Sequence, residues 1–151
     1  MSATIRAQRM AMDEEAPRPF AAMIRLEDAI ELDERIRGLI QVRASQINGC
    51  AFCIELHWKE ARAAGESEER LYSLDAWSHS PLYDERDRAA LALCEAITLV
   101  ADSHVPDDVW DPAAGQFEPA ELAQLVFAIA AINAWNRLVI SARPAPGSYT
   151  L

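Results

Sequence analysis

The sequence predicts an all-α protein. In successive segments of the 151-residue chain, apolar residues recur at spacings of three and four, the pattern of helices that bury one face. No stretch shows the sustained apolar–polar alternation with β-branched residues that is typical of strands. The chain is 51% hydrophobic and has only 5 glycines, so it can bury a core and is neither disordered nor fibrous.

The N-terminal region and the rest of the chain differ in composition. Residues 1–18 mix Arg, Asp, Glu and Pro without an apolar run, so we expect a flexible arm there and no signal peptide. Residues 19–151 are expected to form a single helical domain. Apolar residues from Phe20 onward predict its first helix over 20–31, and a second apolar face predicts the next helix over 33–47.

The middle of the chain contains three further predicted helices. The first runs over 49–64 and is closed by Gly65, a common residue just past a helix end. Ser67 begins the next helix. A broad apolar face then predicts a long helix over 84–101.

The C-terminal part is predicted to hold a short helix over 107–114 and a long one over 119–142. Pro119 lies in the first turn of the long helix, where a proline is tolerated. Residues 122–135 are apolar nearly all round, which predicts burial on more than one side. Either the centre of a monomer or an interface between subunits would provide that burial.

Charge and cysteine content exclude several classes of partner. A net charge of -10 and a pI near 4.7 argue against binding to nucleic acid or to an anionic membrane surface. Residues 122–135 are interrupted by Gln124 and Asn133 and fall short of the roughly 20 residues of a membrane span. Three cysteines are an odd number, unlike a secreted disulfide scaffold. We therefore expect a soluble cytoplasmic protein.

The most informative motif is a CxxC pair followed by a histidine. Asn48 and Gly49 form a turn, and the helical pattern starts directly after them. At spacings of three and four, Cys50, Cys53 and His57 share one face of that helix. The positive end of the helix dipole favours a thiolate there. The pair can therefore ionise, attack an electrophile and close a disulfide.

A CxxC pair also occurs in zinc, haem and thioredoxin-like sites, which fit this sequence less well. A structural zinc site usually needs four ligands, and the remaining candidates, Cys94, His79 and His104, are isolated in the sequence. A c-type haem needs a histidine directly after the second cysteine, and a thioredoxin-like site needs a preceding strand. We therefore expect neither a metal nor a cofactor, although cysteines that merely share a buried face remain an alternative.

Several segments resemble a known family. The similar residues are 41–53, His57, 61–66, 70–74, 85–91 and 132–137. Over roughly residues 20 to 143 the chain resembles the alkylhydroperoxidase D-like (AhpD-like) branch of the carboxymuconolactone decarboxylase family. The resemblance implies an all-α fold built on a helical hairpin, with the CxxC at the N-terminus of a central helix. It also implies homo-oligomers, commonly trimers or hexamers.

The resemblance implies a dithiol that reduces hydroperoxides. Cys53 would be the peroxidatic cysteine, Cys50 its resolving partner and proton donor, and His57 the base. An external dithiol would reduce the disulfide again. The low charge around Phe52 and Leu56 suggests an organic hydroperoxide as substrate.

One position departs from the family pattern. The family usually has a glutamate twelve residues before the first cysteine, where it orients the histidine, and here that position is Gly38. Glu34 lies one turn earlier on the same face and is our candidate for the missing relay carboxylate. Glu60, three residues after His57, is a second candidate, although we expect it to face solvent.

The favoured function is a thiol-dependent hydroperoxide reductase. A protein disulfide-exchange adaptor and a non-catalytic redox-sensing oligomer remain alternatives, and the missing glutamate makes the second credible. Decarboxylation of a muconolactone is not expected, because that branch of the family is not expected to use a CxxC.

Overall fold

A computed structural model describes residues 7–149 and is all-helical, with no strand in that range. The helices are α1 (Met12–Glu15), α2 (Pro17–Ala29), α3 (Glu34–Asn48), α4 (Ala51–Ala63), α5 (Glu68–Tyr72), a 3-10 helix (Leu74–His79), α6 (Glu85–Thr98), α7 (Val100–Ser103), α8 (Asp107–Gln116) and α9 (Pro119–Ala142). The predicted fold class is confirmed.

The region predicted as an arm contains helical structure. Helix α1 lies entirely within it, and α2 begins at Pro17 because a proline suits the first helical turn. The backbone N–H of Arg9 donates to the carbonyl of Ala142, 2.8 Å away, which ties this region to the end of α9. Residues 1–6 lie outside the described part, and the domain boundary after residue 18 stays a prediction.

Helices α3 and α4 form the hairpin that positions the cysteines. The Asp33 side chain caps α3 by accepting from the backbone N–H of Ile36 at 3.1 Å. Gly49 ends α3 with a φ of +69°, a left-handed conformation that favours glycine. Farther along the hairpin, a Cβ built on Gly38 would lie only 3.1 Å from the Cβ of Ala61, so the missing side chain permits the close approach of the two helices.

Helix α9 lies against α2, α3, α4, α6 and α8. Its fully buried side chains, including Leu125, Ile129 and Ile132, form the main core with residues of α3 and α6. Within residues 7–149 it is the one helix long and apolar enough to span a bilayer, and its buried residues belong to the main core. Phe127 on its outer face remains 57% exposed, so the chain alone does not bury α9 all round.

Two predicted helices are divided in the structure. The segment from Ser67 becomes α5 and the 3-10 helix, with a kink at Ala76, where the backbone is not helical. The segment predicted over 84–101 ends as α6 at Thr98 and continues as the short α7. Leu71 and Leu74 are buried on either side of the first break, whereas α7 buries none of its residues.

Candidate active site

The turn before the cysteines presents them at the start of α4. Cys50 is the N-cap residue, and its sulfur accepts from the backbone N–H of Cys53 at 3.3 Å. The backbone N–H of Cys50 donates to the carbonyl of Ser45 at 3.0 Å. Cys50 and Cys53 form a disulfide, with their Cα atoms 5.3 Å apart, and each residue is only 2% exposed.

A network of amide side chains holds this turn against α9. Asn48 Nδ2 donates to Asn133 Oδ1 at 2.9 Å and to Asn136 Oδ1 at 2.8 Å. Asn136 in turn donates to the hydroxyl of Ser45 at 3.0 Å, and Asn133 donates to that of Thr98 at 3.0 Å. Because these buried groups satisfy one another, they hold the turn in one position relative to α9.

His57 lies one turn after Cys53 with its side chain 12% exposed. Its Nδ1 is 2.8 Å from Oε2 of Glu60, whose own side chain is 46% exposed. This hydrogen bond forms when Nδ1 carries the proton, and Nε2 then has the free lone pair of a base. Among the described residues, Glu60 rather than Glu34 is the carboxylate hydrogen-bonded to His57.

A cavity of about 960 Å³ opens beside the disulfide. Cys53 and His57 line it, whereas Cys50 does not. Its apolar wall comes from α2, α4 and α9 and includes Phe20, Ile24, Phe52, Leu56, Trp135 and Leu138. Phe20 packs edge-on against Trp135, with their ring centroids 5.3 Å apart. The cavity therefore places an apolar ligand next to Cys53 and not next to Cys50.

The same cavity has polar residues that sequence reasoning missed. Glu27 Oε1 accepts from Arg37 at 3.0 Å and from Gln41 Nε2 at 2.9 Å. Glu27 Oε2 is buried without a hydrogen-bond partner among the described residues. Arg37 and Gln41 lie one turn apart on α3, but Glu27 lies on α2, so no local motif joins the three. Glu34 also lines the cavity.

Lys59 pairs with Glu55 at 2.7 Å and lies over the ring of Tyr149, a residue of the cavity lining. The hydrogen bond that Lys59 donates to the Glu55 carboxylate raises the pKa of Lys59 above its usual value. The Tyr149 ring also packs edge-on against Phe52, so the C-terminal segment covers part of α4.

Other candidate residues lie away from the cavity. Burial raises the pKa of the Cys94 thiol to about 12, and its sulfur faces the carbonyl of Ile40 at 3.4 Å, so it is an unreactive core residue. Arg43 forms ion pairs with Asp75 at 2.6 Å and with Glu95 at 2.8 Å. Between residues 7 and 149, no three His, Cys, Asp or Glu side chains lie together as a metal-binding group.

The sequence and the fold match known proteins. The profile of the carboxymuconolactone decarboxylase family matches residues 17–96. The uncharacterized protein YdfG of Bacillus subtilis (strain 168) is 38% identical over 137 residues, which cover 89% of this chain and 93% of YdfG.

Two solved structures share the fold. A crystal structure from Agrobacterium tumefaciens, of a protein of unknown function proposed to be the antioxidant defence protein AhpD, is 36% identical. It superposes with a TM-score of 0.91 over 95% of this chain and 100% of that one. The debrominase Bmp8 is 18% identical, with a TM-score of 0.77 over 90% of this chain and 73% of its own, a likeness in fold alone.

Proposed function

Because this chain belongs to the carboxymuconolactone decarboxylase family, in its AhpD-like branch, we propose that it is a thiol-dependent hydroperoxide reductase of the cytoplasm. The observation that carries the proposal is the arrangement of the CxxC pair. Cys53 and His57 line one apolar cavity, and Cys50 lies within disulfide distance but outside that lining. A peroxidatic cysteine has to contact the substrate, as Cys53 can from the cavity lining. A resolving cysteine has only to reach the peroxidatic sulfur, as Cys50 does.

The first step oxidises Cys53. With Nδ1 bound to Glu60, His57 Nε2 takes the thiol proton, and the start of α4 stabilises the thiolate. The thiolate attacks the terminal oxygen of the hydroperoxide, so that an S–O bond forms and the O–O bond breaks. The alkoxide leaves as the alcohol with a proton from Cys50, and Cys53 becomes a sulfenic acid.

The second step closes the disulfide. The Cys50 thiolate attacks the Cys53 sulfur, the S–S bond forms, and hydroxide leaves as water with the proton held by His57. The peroxide has then accepted two electrons and the dithiol has lost them. An external dithiol returns the pair to its reduced form through thiol–disulfide exchange.

The burial of both sulfurs favours a small substrate over a protein. Each cysteine is 2% exposed, so the disulfide of another protein reaches Cys53 less readily than a small molecule in the cavity does. The aromatic and aliphatic wall favours an organic hydroperoxide. We further propose that the protein acts as a homo-oligomer, a trimer or a hexamer.

Intact-mass analysis tests the proposal. The reduced protein receives a short pulse of cumene hydroperoxide, and we expect a rapid loss of two hydrogens that maps to Cys50 and Cys53. Cys53→Ser should abolish the change. His57→Ala should slow it by roughly a hundredfold, which is the low end of what a positioned base contributes.

Two results would count against a peroxidase. Thiols that stay free during the pulse would exclude direct reduction, and fast exchange with a protein disulfide would then favour an adaptor. An equally fast reaction in His57→Ala would remove His57 from the proposed mechanism. A change in oligomer size on oxidation, without turnover, would favour the redox-sensing alternative.

A further inference from the structure

We propose that the cavity beside Cys53 selects its ligand by charge, accepting uncharged or cationic apolar molecules and rejecting anionic ones. In the reaction proposed above, the substrates would be uncharged organic hydroperoxides and not the hydroperoxides of carboxylic acids. The identification of the ligand as a hydroperoxide rests on the proposed function. The selection by charge rests on the cavity itself.

The described lining is strongly unequal in charge. Five carboxylates face a single guanidinium, that of Arg37, and the lining contains no lysine. The carboxylates are Asp13, Glu27, Asp28, Glu34 and Glu60. His57 is the other titratable cation in the lining, and its Nδ1 is already bound to Glu60.

The single guanidinium already has a carboxylate partner inside the cavity lining. Arg37 donates to the Glu27 carboxylate at 3.0 Å and to the Glu27 backbone carbonyl at 2.6 Å. It also donates to the carbonyl of Ile30 at 3.4 Å. A ligand carboxylate that approaches Arg37 therefore meets the like charge of the Glu27 carboxylate, which offsets the attraction of the guanidinium.

The remaining carboxylates are not neutralised in this way. Asp13, Asp28 and Glu34 are exposed residues of the lining and form no ion pair among residues 7–149. A sphere of the cavity's volume is about 12 Å across, comparable with a Debye length of about 8 Å in physiological salt. These charges therefore act on a ligand throughout the cavity.

Binding of two isosteric alcohols tests the inference without any chemistry. The probes are 4-(2-hydroxypropan-2-yl)benzamide and the corresponding benzoate, which differ in charge and hardly in shape. We measure both dissociation constants with the oxidised protein by calorimetry, and follow Trp135 in the cavity wall by fluorescence. At about 20 mM salt the benzamide should bind at least about tenfold more tightly, and at about 500 mM the ratio should shrink because the repulsion is screened.

A matched pair of double variants locates the effect. Asp28→Asn/Glu34→Gln removes two charges from the lining and should lower the benzamide-to-benzoate ratio severalfold. Asp102→Asn/Asp111→Asn removes the same charge from exposed positions outside the lining and should leave the ratio unchanged. Equal effects of the two variants would attribute the selection to net charge and overturn the inference.

The remaining outcomes are equally decisive. Equal binding of the two alcohols at low salt, or binding of neither, would overturn the inference. The corresponding hydroperoxides, assayed for oxidation of Cys53, test the proposed function separately. If the benzamide alcohol binds preferentially but neither hydroperoxide oxidises Cys53, selection by charge stands and the peroxidase proposal fails.

Discussion

His57 takes its carboxylate partner from its own helix. Glu60 is three residues farther along α4, so both side chains lie on one face without help from the tertiary structure. Glu34 reaches the same cavity from α3 but is not hydrogen-bonded to the imidazole. Glu60 is therefore the better candidate for orienting His57 in this chain, which has Gly38 at the position of the family's usual glutamate.

Glu60→Gln should slow the oxidation of Cys53 by roughly tenfold, less than His57→Ala, because the base stays in place and loses only its charged partner. Stopped-flow measurement of Cys53 oxidation gives the rate constants of both variants. Glu34→Gln is the matched control, and an equal or larger effect there would return the relay to Glu34.

Spacing along one helix made part of the site predictable at the residue scale. Cys50, Cys53 and His57 follow the helical repeat, and Cys53 and His57 line one cavity. Glu27 could not be found in this way, because it reaches Arg37 from another helix. The expectation that Glu60 would face solvent was incomplete, since half-exposed side chains still form hydrogen bonds.

A contact between two helices depends on two residues that are distant in the sequence. In the sequence alone, Gly38 is only a residue that weakens a helix. In the structure it adjoins Ala61, whose Cβ would lie 3.1 Å from an added methyl group. The residue is therefore part of a contact between α3 and α4, and a glutamate there would meet the same obstacle.

Gly38→Ala should lower the free energy of unfolding by about 1 kcal/mol. Alanine improves helix propensity by about 1 kcal/mol, but overpacking typically costs about 1–3 kcal/mol, and Ala61 has no rotamer by which to move away. Urea unfolding measures the change. In the double variant Gly38→Ala/Ala61→Gly the two effects should not add, and strict additivity would show that the contact is not responsible.

The start of α6 is stabilised by a reciprocal cap. Asp84 accepts from the backbone N–H of Asp87 at 2.8 Å, and Asp87 accepts from that of Asp84 at 3.1 Å. The backbone N–H of Asp87, together with Arg35, lowers the pKa of Asp84 below its usual 3.8. The pKa of Asp84 is lowered only in the folded state. The stabilisation by its charge is therefore complete at a pH above the pKa of the unfolded state, and it is lost as the pH falls through the pKa of the folded state.

Asp84→Ala should therefore lower the free energy of unfolding by about 1 kcal/mol at neutral pH. The difference from the wild type should shrink below about pH 4, where the wild-type carboxylate becomes protonated. Urea unfolding at several pH values measures it. Asp84→Asn keeps a capping oxygen without the charge, so its free energy of unfolding should stay close to that of the wild type and depend little on pH. A loss of stability in Asp84→Ala that is the same at every pH would contradict the role of the charge.

At the scale of the whole molecule, the cavity is built from distant parts of the chain. Its lining comes from α1, α2, α3, α4 and α9 and from the segments before α1 and after α9. Periodicity predicted most of these helices, because apolar residues recur along them at helical spacing, and the family resemblance predicted their fold. The cavity and its charge could not be predicted, since they depend on which helix ends meet.

The outer face of α9 bears on the assembly of the molecule. Phe127 is 57% exposed between Ala123 and Ala130, two small exposed residues one turn away. If this face contacts a second copy of the chain, Phe127→Glu should yield a smaller species in sedimentation velocity with unchanged helical content. Tyr72→Glu replaces an even more exposed aromatic on α5 and should leave the size unchanged. An unchanged size for Phe127→Glu would place any interface elsewhere.

The amide network around Asn48 determines the axial register of α9. A helix that is apolar nearly all round could slide by a turn with little loss of buried area, because one aliphatic contact resembles the next. Asn133 and Asn136 do not have that freedom, since each finds its partners on α3 or α6 at a single position. Directional bonds thus select one alignment among several that hydrophobic contact would tolerate equally. The same hydrogen bonds therefore determine where Trp135 and Leu138 lie in the cavity wall.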